Sequence, residues 1–206
     1  GAIEGVTGSI TFSDILALTT PPGQQVTIKQ INPGIQLDNG TLAFQILGGR
    51  EANIETAVWP FAGGTLEVEP NRWTIAGVSD VVTINARQIE LAELVDALSL
   101  PDVQASGTVS GTFPLELRGG STIIKNALLV ADAKGGTLKY TGEAVNQAAS
   151  TDQTVSAAFT ALRDFSFKVL ELGIDGNLVG DIVVSLNLLG FNPEVLGGAD
   201  FKFNIA

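Results

Sequence analysis

Apolar and polar positions alternate along much of this chain. From Val103 one side of the alternation reads Val103, Ala105, Gly107, Val109, Gly111, Phe113, Leu115 and Leu117. The other reads Gln104, Ser106, Thr108, Ser110, Thr112, Pro114, Glu116 and Arg118. A period of two sends successive side chains to opposite faces of a strand, so this run predicts a strand with one apolar and one wet face. Ile182, Val184, Leu186 and Leu188 repeat the pattern against Asp181, Ser185 and Asn187. Phe165, Phe167 and Val169 alternate with Ser166, Lys168 and a less polar Leu170.

Turn chemistry supports the same class. Pro33-Gly34, Asn39-Gly40 and Asp175-Gly176 each separate strand-like runs, and the last two are favoured hairpin dipeptides. Gly-Gly-Thr-Leu occurs at Gly63–Leu66 and at Gly135–Leu138, and Asn39–Leu42 resembles both, as if a turn launched a strand each time. Two segments break the rhythm. Leu91, Leu94, Val95 and Leu98 have helical spacing, which predicts an amphipathic helix over residues 88–99, ended by Pro101. Val155, Phe159 and Leu162 predict a second over 153–163 with Asp152 as N-cap. Asn192–Leu196 could add one helical turn, with Pro193 at its first position. Glycines inside strand patterns, at Gly107, Gly111 and Gly173, call for bends or bulges. The expectation is a single mainly β domain over residues 1–206: a bent antiparallel sheet with two or three short amphipathic helices.

Composition narrows the chemistry. The 206 residues contain no His and no Cys. That removes Ser-His-Asp and Cys-His catalysis and nearly all zinc and iron–sulfur sites, so neither cofactor nor metal is expected. Net charge is −11, and the eleven Lys and Arg are scattered from Lys29 to Lys202 with no two adjacent. Nucleic acid, which needs a basic patch, is therefore not an expected partner. No apolar stretch approaches the ~20 residues of a membrane-spanning helix. The chain has no Met, so Gly1 reads as the edge of a fragment of a longer protein.

The carboxylate pairs Glu67/Glu69 and Glu90/Glu93 sit at wet positions, where nothing shifts a pKa toward catalysis. No catalytic residue is assigned. Trp59 and Trp73 could stack on a sugar or base, but buried or rim aromatics explain them as well. What remains is an apolar concave surface, which the chain either fills with its own side chains or leaves as a groove. A groove suits long hydrocarbon chains: at roughly 0.8 kcal/mol per methylene, a two-chain lipid in water exposes a cost on the order of 20 kcal/mol.

The stretch Leu98-Ser99-Leu100-Pro101-Asp102-Val103 through Gly107, Gly111 and Phe113-Pro114-Leu115 resembles the C-terminal region of AsmA-like envelope proteins, in particular the YdbH-like branch. The similarity continues in Lys125-Asn126-Ala127-Leu128, where Ala127 departs from the usual Gly, and in Gly135-Gly136-Thr137-Leu138-Lys139-Tyr140. It is closest toward the end: Ala161–Phe167, Asp175-Gly176, Leu186–Pro193, Gly197-Gly198 and Phe201-Lys202-Phe203-Asn204, in order and spacing. It is strongest over residues 86–205. The resemblance implies the C-terminal part of a long periplasmic protein of a Gram-negative envelope. That protein would be anchored in the inner membrane, with a U-shaped β-groove moving phospholipid toward the outer membrane. It also implies phospholipid acyl chains as ligand and an outer-membrane or periplasmic partner protein.

The expected lining of the groove is Val103, Val109, Phe113, Leu115, Leu117, Phe165, Phe167, Ile182, Val184, Leu186 and Leu188. Two alternatives stand beside this. One is a structural or assembly module of the envelope with a filled core. The other is a dicarboxylate or small-ligand transport domain, a label the family has carried. Such a site needs convergent Arg or Lys, and a chain at −11 repels small anions.

Overall fold

A computed structural model describes residues 3–32, 35–74, 79–118, 121–133, 135–142, 153–178 and 180–205. Its strands are β1 (Ile3–Gly8), β2 (Gln24–Ile31), β3 (Leu37–Leu47), β4 (Glu51–Phe61), β5 (Gly64–Val68), β6 (Asn71–Thr74) and β7 (Ser79–Glu90). There follow α1 (Leu91–Ala97), β8 (Val103–Ser106), β9 (Thr108–Arg118), β10 (Ser121–Ala131) and β11 (Gly136–Tyr140). The chain closes with α2 (Gln153–Ala161), a 3-10 turn at Leu162–Asp164, β12 (Phe165–Asn177), β13 (Ile182–Phe191) and β14 (Asp200–Ile205). All strands belong to one antiparallel sheet that does not close into a barrel, ordered β1-β2-β3-β4-β5-β7-β9-β10-β12-β11-β8. β13 pairs with the other edge of β12 and carries β14, while β6 pairs with the first half of β4. The mainly β, bent antiparallel expectation holds, with strand the dominant element and two short helices among the described residues.

Most buried apolar side chains form one cluster, from Ile28 on β2 to Val195 beyond β13; Ile124 and Ala127 on β10 are buried outside it. Ladder registers place them on one face. Ile28 lies opposite Gly40, Leu42 opposite Ala57, Trp59 opposite Leu66, Leu66 opposite Ala86, and Leu129 opposite Leu172. A single-layer sheet can bury one face only if something covers it. The helices touch β7, β8 and the turn beside β11, so elsewhere the sheet must curl over its own apolar face. The opposite face carries Glu67, Arg87, Thr112, Glu116, Lys125 and Glu171.

The long strand expected over Val103–Leu117 is two strands. At Gly107, where φ is +103°, the chain bends, and β8–β9 runs beside β10–β11 as one kinked ribbon. A side chain at Gly107 would meet the carbonyl of Gly135 at 2.7 Å, so only glycine fits the bend. Parity survives the kink, so Ala105 and Val109 share a face. A bulge at Lys168 does reverse parity: Phe167 pairs with Gly190 and Val169 with Leu189. Leu170 thereby turns inward, 3% exposed, while Val169 joins the outer face, contrary to simple alternation.

Neither favoured hairpin dipeptide forms a hairpin turn. Asn39, at φ +56°, and Gly40 lie inside β3, and Asp175-Gly176 lies inside β12. The β12–β13 connection there is closed by the Asn177 amide donating to the Asp181 carbonyl at 3.0 Å. Gly40 is required by packing: a Cβ would lie 2.0 Å from Trp59 Nε1, because the indole rests on that glycine. Pro33-Gly34 lies outside the described residues. The Ala62-Gly63 turn does launch β5, and Gly136 does begin β11.

The first expected helix is shorter than its spacing suggested, Leu91–Ala97, with Leu91 buried and Leu98 47% exposed beyond its end. The second spans Gln153–Ala161 and tightens into the 3-10 turn, burying Ala161 and Leu162; Asp152 lies outside the described residues. Asn192–Leu196 makes turns rather than a helix. The buried Asn192 side chain donates to the Ala161 carbonyl at 3.2 Å and accepts from the Glu194 amide at 2.9 Å, which ties this loop to α2.

Candidate functional site

Because the strands are antiparallel, the sheet has two margins formed by strand ends. The helical margin holds the Ala62 turn, Glu90, α1, Gly107 and the start of β12. The free margin, at the opposite strand ends, holds the Gly48–Arg50 turn, the start of β7, the end of β9, the start of β10 and the Asn177–Asp181 turn.

Burial of the inner face falls from one margin to the other. At the helical side Phe165, Leu188 and Val109 are 0% exposed and Phe167 is 4% exposed. The Phe165 ring meets Phe203 edge-on at 5.4 Å. Such a contact adds about 0.5–1.5 kcal/mol to the burial of the two rings. Along β13 the inner row then opens, from Leu188 through half-buried Leu186 to Val184 at 48% and Ile182 at 43% exposure. Antiparallel β12 opens toward the same margin, from buried Leu170 to half-buried Leu172 and Ile174, which face Leu186 and Val184. On β9 buried Val109 gives way to half-buried Phe113, Leu115 and Leu117.

The residues expected to line a groove therefore separate into two groups. Val109, Phe165, Phe167 and Leu188 are packed into a filled core beneath the helices. Phe113, Leu115, Leu117, Leu186, Val184 and Ile182 are half-buried or exposed toward the free margin, while Ile124 and Ala127, between them on β10, are buried. Val103 belongs to neither: it is half-buried on β8 opposite Tyr140, at the far edge of the ribbon. Inner-face members that alternation did not single out include Leu170 and Ile174, and in the first half Ile28, Phe44, Trp59 and Leu66. A positive φ at Asn39 and register shifts between Ala43 and Phe44 and between Ala86 and Ile89 break the period there.

Charge is kept to the outer face and margins. Glu67 pairs with Arg87 at 2.8 Å, Glu69 accepts from Asn85 at 3.0 Å, and Lys168 pairs with Asp200 at 2.7 Å. Glu90 and Glu93 are exposed. Near the free margin Glu116 lies between Lys125, at 2.5 Å, and Arg118. The hydrogen bond from Lys125, then that from Arg118, hold its carboxyl below the usual carboxylate range. Two hollows, of about 430 and 300 Å³, do not follow the half-buried inner row. The first spans the β7–β9 bulge at Arg87-Gln88 and Ser110; the second lies over Gly173 on the outer face. Neither is an enclosed apolar cavity.

The model of the YdbH-like family, described as intermembrane phospholipid transport protein YdbH, matches residues 1–206. No curated protein and no solved structure matches the chain.

Proposed function

The chain belongs to the YdbH-like family, an intermembrane phospholipid transport family and not an enzyme family, and from that premise we propose that it forms the C-terminal part of a bridge conducting phospholipid across the periplasm. No helix among the described residues is long and apolar enough to cross a membrane. In this reading the acyl chains lie on the inner face of the curled sheet along Phe113, Leu115, Ile174, Val184 and Leu186. The headgroup stays at the free margin, outside the apolar face. One observation carries the proposal: along β9, β12 and β13 the inner face is a row of apolar side chains whose exposure rises toward the free margin. Each methylene covered there recovers roughly 0.8 kcal/mol, so a lane that shields most of two chains offsets the cost of carrying them through water.

The filled core at Val109, Phe165 and Leu188 favours a second reading, a scaffold module of the same envelope assembly. The two readings differ in what the chain carries when purified. Native mass spectrometry of the chain, prepared without detergent, is expected to show bound phospholipid. A photo-crosslinking residue at Ile174 or Val184 is expected to give lipid adducts, and one at Thr112 on the outer face is not. A lipid-free chain with no adduct at either inner position leaves the scaffold reading.

A further inference from the structure

Among the described residues, the connection between β1 and β2 carries the most exposed apolar side chains of the free margin. Leu16 is 94% exposed and Ile15 70%, with Leu18 at 47%, Ile10 at 43% and Phe12 at 39%. These residues are displayed on a fastened loop. The Ser13 amide donates to the Thr19 carbonyl at 2.9 Å, and the Thr19 amide donates to the Asp14 carbonyl at 3.0 Å. Thr20, 2% exposed, exchanges hydrogen bonds with Ile46 of β3 at 2.9 and 3.1 Å. The one charge in the loop, Asp14, is turned into it: Oδ1 accepts from the amides of Leu16 at 2.8 Å and Ala17 at 3.0 Å.

We propose that the Ile15–Leu18 loop inserts into the interfacial layer of a lipid bilayer and seats the free margin of this protein on the membrane. Three features favour a bilayer over a protein partner. The tip offers only Ile, Leu and Ala; it lacks the Trp, Tyr or Arg anchors on which protein interfaces concentrate their binding energy. Its Leu16 and Ala17 amides are already satisfied by Asp14, so immersion leaves them no unmet hydrogen bond, a requirement where water is scarce. Charge is also arranged for it. Leu18 packs on Gly49, which puts the exposed Arg50 beside the tip, where an anionic headgroup would be attracted. Arg72, Arg118 and Lys125 share this margin with the carboxylates they pair with, Glu51 and Glu116, and with exposed Asp175 and Asp181, so the attraction is local to Arg50. This seat does not depend on lipid entering the apolar lane.

The absence of cysteine makes the test clean. Leu16→Cys and, as a control on the helical margin, Glu93→Cys are each labelled with an environment-sensitive fluorophore. The labelled chains are mixed with vesicles of phosphatidylethanolamine and phosphatidylglycerol. The label at position 16 is expected to shift to the blue and to be quenched by brominated acyl chains, while the label at 93 stays unchanged. In vesicle flotation the double variant Ile15→Ser/Leu16→Ser should partition on the order of 30-fold less. Both side chains are exposed, so an unaltered melting curve is expected, and phospholipid bound along Ile174 and Val184 should be retained. Equal responses at both labels, or flotation unchanged by the double variant, overturn the proposal. So does a position-16 signal that follows protein concentration instead of vesicles, which would assign the loop to a second copy of the chain.

Discussion

A carboxylate placed on the inner face should have opposite consequences at its two margins. Val109 is 0% exposed, flanked by Ile89 on β7 and Ala131 on β10. Val109→Glu removes a buried side chain worth about 1.5–3 kcal/mol and puts an ion where no cation or water reaches it, at several kcal/mol more. The sum approaches the whole stability of a domain, about 5–15 kcal/mol, so this variant should be largely unfolded. Val184 is 48% exposed; it faces Ile174 on one side, while β14 pairs with β13 only from Leu186 onward. A carboxylate there stays hydrated, so Val184→Glu should cost about 1 kcal/mol, the apolar contact that half-buried side chain makes. Urea unfolding followed by tryptophan fluorescence measures both, beside the amount of phospholipid carried by the chain. The expected pattern is a lost cooperative transition for Val109→Glu, and a near-normal transition with reduced lipid for Val184→Glu. A cooperatively folded Val109→Glu would refute the filled core. A Val184→Glu chain that keeps its full lipid load would refute the lane.

Two further outcomes test particular contacts. Gly40→Ala forces a methyl into the Trp59 indole and should lower stability by about 1–3 kcal/mol and shift the tryptophan emission; wild-type stability would show that the indole does not rest there. Glu116, held below its ordinary pKa by Lys125 and Arg118, contributes stability that is full above the unfolded-state pKa and lost as pH falls through the lowered folded value. Melting temperature in the acid range should therefore fall with decreasing pH less steeply in Glu116→Gln than in wild type. Superimposable acid limbs would remove the ion cluster from the stability of the free margin.

Much of the second half of the sheet was legible in sequence, because local spacing decides which face a side chain takes. The row Ile182–Leu188 keeps strict parity and is inner-facing throughout. Parity fails where a bulge inserts a residue, and bulges are set by the partner strand. Lys168 gives no local sign that Leu170 and not Val169 will be buried, beyond Leu170 being the less polar member of the wet side. Asn39 and Gly176 supply positive φ, which occurs inside a strand as well as in a turn, so composition alone does not separate the two. Leu98 has the spacing of an apolar helical stripe, yet the helix ends before it and no strand covers it.

The sequence by itself determined the β class, the two helices, the exclusion of histidine and cysteine chemistry, and the order of motifs that marks the YdbH-like family. These rest on period, composition and local order, which a chain carries before it folds. Tertiary structure alone decided depth. Val109 and Val184 are the same residue type on the same face, but one lies beneath the helical margin and the other beside an open strand end. Whether an inner-facing side chain becomes core or accessible surface depends on what non-local strand pairing brings over it, and no local pattern encodes that.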